Sequence, residues 1–263
     1  MNKKITSFIL IFFILTITLG CGTENTNTQT DSANNTKEDI QEEIIPDKVY
    51  QDEEAKTLIA KAEEEIRKAR KNYDFIKKDQ DLLLKKLAPL ESKIDIPTGN
   101  PSYTIKVLEN MLPNIETMAN NSDALSVSLD NYGNAIKYVN DAENLDISPE
   151  YRAYLTKYKE ALIKEKNGVF YYQRAMYNKT RLLLANTFTA IYDIYWAFDN
   201  LSMRIETQRT AESNGVWIWK GLNVYEERFN WENDNVTKNF EIYEKSMNEA
   251  EKLFEEANKI LPQ

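Results

Sequence analysis

Three long stretches of the chain place an apolar residue every three or four positions. In the first, Ala55, Ile59, Ala62, Ile66, Ala69, Tyr73, Ile76, Gln80, Leu83 and Leu87 alternate steps of four and three, and only Gln80 is polar. The second runs through Leu108, Met111, Ile115, Met118, Ser122, Leu125, Leu129, Tyr132, Ile136 and Val139, with Ser122 as its polar member. The last is apolar throughout: Val236, Phe240, Tyr243, Met247, Ala250, Phe254, Ala257 and Leu261. A repeat of about 3.5 residues gathers each set into a narrow stripe on one side of a helix, suited to neighbours crossing at about 20°. Charge runs such as Glu63-Glu64-Glu65 and Lys77-Lys78 fall between the stripe positions, on the side left to solvent.

The breaks between stripes carry turn chemistry. Pro97-Thr98-Gly99-Asn100-Pro101 separates the first two segments, and Asn144-Leu145-Asp146-Ile147-Ser148-Pro149 separates the second from the third, with Ser148 as a good N-cap and Pro149 suited to the first helical position. Ser213-Asn214-Gly215 and Gly221 mark a further break. The pattern predicts helices over 48–95 (disturbed near Pro89), 102–145, 149–212 and 222–261, with Pro113 kinking the second. The third would be about 95 Å long if unbroken; either Asn167-Gly168 breaks it or it overhangs its neighbours. The expected fold class is all-α, an elongated antiparallel four-helix bundle with coiled-coil-like packing over residues 48–263. A stripe can also be completed by a second copy, so a dimer of helical hairpins remains open.

The first twenty residues break the pattern. Lys3 and Lys4 precede the run Ile5 to Leu19, which is shorter than the roughly 20 residues a membrane-spanning helix needs, and small residues follow. The run ends in Thr18-Leu19-Gly20-Cys21, which resembles the lipobox of prokaryotic (bacterial or archaeal) membrane lipoproteins, with Thr18 where that family prefers Leu. The resemblance covers the leader only. It implies that residues 1–20 are a signal peptide and that Cys21 becomes a lipidated N-terminus, anchored at the extracytoplasmic face of the cell membrane. An ordinary secretory leader and an uncleaved anchor are the alternatives, and both also place the rest of the chain outside the cytoplasm. Cys21 is the single cysteine, so no disulfide forms within the chain. Residues 21–47 follow as a tether: the stretch 23–46 is rich in Asn, Thr, Gln and acids and has no aromatic residue, too little apolar surface to offset its ordering entropy.

Composition then narrows the chemistry. The 263 residues carry 33 basic and 42 acidic side chains and no His. Loss of Lys3 and Lys4 with the leader leaves 31 basic against 42 acidic residues, a net of −11. Such a balance argues against nucleic acid as a partner. The missing His excludes Ser-His-Asp and Cys-His catalysis, imidazole metal sites and His-ligated haem. No Gly-rich phosphate loop, calcium loop or Gly-x-Ser-x-Gly elbow occurs, and the paired acids lie on solvated helix faces. The sequence therefore predicts no enzyme activity, no cofactor and no metal.

Aromatic residues are concentrated in the third segment and the turn after it, and three of the four Trp fall between positions 217 and 231. Core packing accounts for most of Tyr151 to Phe198. In Val216-Trp217-Ile218-Trp219-Lys220-Gly221, alternate residues cannot all face inward on one helix, which leaves some of that surface for recognition. The candidate partner- or ligand-binding residues are Trp217, Trp219, Tyr225, Trp231, Tyr195 and Trp196; Cys21 is the candidate lipid attachment. The functional expectation is a non-catalytic binding or structural role in the cell envelope, with membrane contact through the lipid and an envelope protein or wall polymer as partner. The alternative is a small-molecule binding or sensing bundle with an aromatic pocket near Tyr192 to Phe198.

Overall fold

The computed structural model of the protein describes residues 49–91, 101–218 and 222–261. The leader, Cys21, the tether and most of the Pro97 turn lie outside them. The described residues are all-helical, with no strand among them: α1 (Asp52–Glu91), α2 (Pro101–Glu143), α3 (Pro149–Ala197), α4 (Leu201–Ser213) and α5 (Leu222–Ile260). No helix among them is long and apolar enough to cross a membrane.

Helix ends follow local chemistry. Asp52, Glu53 and Glu54 fill the first turn of α1, where carboxylates complement the helix dipole. Ser148 caps α3 by accepting from the Tyr151 N–H at 3.3 Å, and Pro149 takes the first helical position. Pro113 does not divide α2; it lies on the exposed side and the helix continues through it.

One expected helix is two. The predicted helix 149–212 passes unbroken through Asn167-Gly168 and stops instead after Ala197. Gly168 has a packing role: a Cβ there would lie 2.6 Å from Met247 Sδ on α5. The stop comes from Asp199, which holds a left-handed φ of 52°, a conformation that Asp and Asn tolerate better than most residues. The Asn200 N–H donates to the Tyr195 carbonyl at 2.9 Å, and its side chain accepts from the Met203 N–H to start α4. Helix α4 folds back along α3, where Arg204 bonds the Tyr192 hydroxyl at 3.1 Å. Gly215, at φ 69°, then ends the turn that follows α4.

Helix α1 packs on α2, α2 on α3, and α3 on both α5 and α4. Contacts fix the directions. Gln51 bonds Asp146 while Gln80 bonds Met118, so α1 and α2 are antiparallel. Lys157 pairs with Glu256 and Lys164 with Glu249, so α3 and α5 are antiparallel too. All ten stripe positions of α1 are buried, as are eight of the ten in α2; Leu129 and Ile136 are half-buried. In α5, Val236, Ala250 and Ala257 are buried, whereas Phe240, Tyr243, Met247 and Phe254 are half-buried and Leu261 is exposed. A second, smaller core gathers Leu182, Ala185, Phe188, Ala211 and Val216 where α4 meets α3.

Candidate functional site

The small core explains how the aromatic turn presents itself. Val216 is buried and bonded through its N–H to the Ala211 carbonyl at 3.1 Å, and Ile218 packs against the same cluster. Residues 216–218 are not helical, so side chains alternate and Trp217 points outward with 61% of its surface exposed. Trp231 on α5 is 64% exposed. The two indoles line one surface cleft of about 450 Å³ together with Arg181, Glu227 and Glu232. Arg181 is oriented from behind: its guanidinium donates to the Gly215 carbonyl at 3.2 Å and lies 5.7 Å from the Tyr177 ring centre. Two exposed indoles around a planar cation and two carboxylates can stack and hydrogen-bond a ligand, but they form no nucleophile–base pair.

The other candidates fare differently. Trp196 is exposed at the α3–α4 corner beside Phe198 and Leu201 and does not line the cleft, while Tyr195 is half-buried against the main core, where burial raises its pKa. Trp196 and Phe198 are each about three-fifths exposed. Tyr225 lies in the first turn of α5, but its side chain, like Trp219 and Cys21, falls outside the described residues. Among the described residues no group of three or more Cys, Asp or Glu could hold a metal ion.

A larger feature lies between α1 and α5. These helices are not among the closely packed pairs, and a groove of about 1040 Å³ separates them, with Ile66, Arg67 and Arg70 on one wall, Met247 and Phe254 on the other, and Tyr158 of α3 at the floor. Arg70 reaches across it: Nε and one terminal nitrogen bond the two oxygens of Glu165 at 2.7 and 2.8 Å, and the guanidinium lies 5.2 Å from the Phe254 ring centre. Hydrogen bonding to Glu165 holds the Arg70 pKa above its ordinary value, against the opposing effect of burial. The buried Tyr132 phenol is pushed up by burial first and by the nearby Glu165 charge second. Further along, the Tyr73 hydroxyl donates to the Tyr243 hydroxyl at 2.7 Å and Lys77 Nζ donates to the same oxygen at 2.8 Å. The Lys77 ammonium lies 5.2 to 6.0 Å from the ring centres of Tyr243, Tyr73 and Tyr172, within cation–π range.

The sequence reading did not single out Arg181, Glu232 or the Arg70–Glu165 pair. For the last a signal existed: Tyr151, Leu155, Tyr158, Leu162, Glu165, Val169, Tyr172 and Met176 form a fourth regular stripe, and Glu165 is its one acid. A scan against protein-family models, a search of curated proteins and a search of solved structures each returned no match.

Proposed function

We propose that the protein is a lipid-anchored, extracytoplasmic helical protein with a non-catalytic binding role in the cell envelope, engaging its partner through the Trp217–Trp231 cleft. In this reading α1, α2, α3 and α5 act as one elongated antiparallel four-helix bundle with coiled-coil-like packing, to which α4 adds a short buttress. The observation that carries the reading is the pairing of two Trp, each more than three-fifths exposed, in one cleft with Arg181. Exposed Trp beside an oriented Arg is the composition of a binding hot spot. Arg181 lies 32 residues beyond Pro149, about 48 Å along α3 from the end where the chain enters α1. A lipid on Cys21 would supply the anchor, one chain binding marginally and two stably. The 24 residues of 23–46 would add a reach of roughly 27 Å as a coil.

The test is a photo-crosslinking residue at position 217 in intact cells. The proposal expects a discrete adduct, with an envelope protein or a wall polymer, that is lost when Trp231 is changed to Ala and kept when Trp196 is changed to Ala. An adduct pattern indifferent to Trp231 would remove the cleft from the function.

A further inference from the structure

The groove between α1 and α5 is the place where the helical arrangement stops short of closing. On α5 the small stripe residues Ala250 and Ala257 are buried, whereas the large ones, Phe240, Tyr243, Met247 and Phe254, keep one side uncovered. Tyr73 and Tyr243 meet hydroxyl to hydroxyl, with Lys77 bonded to the same oxygen, so their side chains reach end to end between the two helices.

In the middle of the groove the two rims carry opposite charge. Arg67 and Lys71 lie four apart on the α1 wall, and Glu251 and Glu255 lie four apart on the α5 wall. The Arg70–Phe254 contact places both pairs in the same stretch. In a closed seam such flanking residues pair across it. Here all four are exposed and, among the described residues, none is in an ion pair with another. Glu63 and Asp74 close the ends of the α1 rim. The lining runs from position 63 to 74 on α1 and from 247 to 258 on α5, about 16 Å or three helical turns on each side.

We propose that this groove is a docking site for one amphipathic helix of a partner protein, three or more turns long, with an apolar stripe on Phe254, Met247 and Tyr158, an acidic flank along Arg67 and Lys71, and a basic flank along Glu251 and Glu255. Such a helix completes the α5 stripe through anchors at i, i+3, i+4 and i+7 and gives each rim charge the partner it lacks. An acyl chain would fill the apolar floor but leave both rims unmatched. Charge complementarity of this kind sets specificity more than raw affinity. The site is separate from the Trp217–Trp231 cleft and stands without it.

The test uses the immobilised full-length chain in mild detergent and three helix-forming peptides that share one leucine stripe. One carries Glu on one flank and Lys on the other, the second Glu on both, the third Lys on both. Because a helix can enter the groove in either direction and reversal exchanges its flanks, the mixed peptide satisfies both rims in one of the two directions and is free to adopt it. It should be retained at least about tenfold more tightly than the other two. Changing Glu251→Lys and Glu255→Lys makes both rims basic and should pass the preference to the all-Glu peptide, with helicity and melting unchanged; comparison with the wild type removes uptake by detergent. Trp217→Ala should leave the ranking intact. Equal retention of all three peptides, no retention of any, or a ranking indifferent to the rim charges would overturn the proposal. So would a dimer dissolved by the rim substitutions, which would make a second copy the occupant.

Discussion

Helix α1 faces α2 on one side and α5 on another, and all three carry the same apolar repeat. Against α2 the repeat is sealed: Leu108, Met111, Ile115, Met118 and Leu125 are fully buried, and even the polar layer is internal, with Gln80 bonded to the Met118 carbonyl and to Ser122. Toward α5, side chains of Tyr73, Lys77 and Arg70 span a gap. A 3.5-residue repeat decides which residues of a helix form a stripe. How many neighbours cover that stripe depends on the size of the residues that meet, here two tyrosines end to end.

Core truncation should separate the two sides most strongly. Met118→Ala in the sealed seam is expected to cost about 2–5 kcal/mol, the range for a fully buried large side chain. Phe254→Ala, half-buried in the open one, should cost about half or less of the roughly 3–5 kcal/mol typical of a buried Phe. Urea midpoints of the two variants check this, and equal losses would mean that the α1–α5 side is sealed in solution.

The Arg70–Glu165 bridge comes next. Glu165→Gln keeps the shape but removes the charge that Arg70 binds, at a cost of about 1–3 kcal/mol. That is below the figure for a fully buried pair, because Arg70 remains half in water. A loss of that size in the same denaturation assay, with Arg70→Met giving a larger one because it leaves the buried Glu165 carboxylate unpaired, would show that the bridge ties α1 to α3 as a structural strut.

Most of the helical pattern was legible in the residues, because spacing alone marks α1, α2 and α5. The α3–α4 break was not: it turns on one left-handed Asp and one capping Asn, residues that also occur on ordinary helix surfaces. The partial exposure of Phe240 and Phe254 was equally hidden, since their spacing is that of buried residues. At the candidate site, the outward turn of Trp217 could be suspected from the alternation of 216–219. That Trp231 and Arg181 would share its cleft depended on how far α4 folds back. Glu165 stood in a regular stripe, but Arg70 lies 95 residues away in sequence, and nothing local to either residue names the other.

A further effect is expected from alkali, at the end of the molecule near Ser148. Burial pushes Tyr151 and Tyr154 up to about 12 from the ordinary phenol value of 10.0. Between pH 10 and 12 the unfolded chain releases these protons while the folded chain keeps them, so stability is full below pH 10 and falls as pH rises toward 12. Tyr151→Phe with Tyr154→Phe should make that fall shallower in urea midpoints taken across the range.

The difference between the sealed and the open side of α1 is tested most directly by thiol labelling at two methionines of the repeat, Met118 in α2 and Met247 in α5, each changed to Cys in a Cys21→Ser background. A polar maleimide under native conditions should label the Met247→Cys protein quickly and the Met118→Cys protein only at the rate of global unfolding. Equal protection at the two positions would contradict the open groove, and with it the docking site.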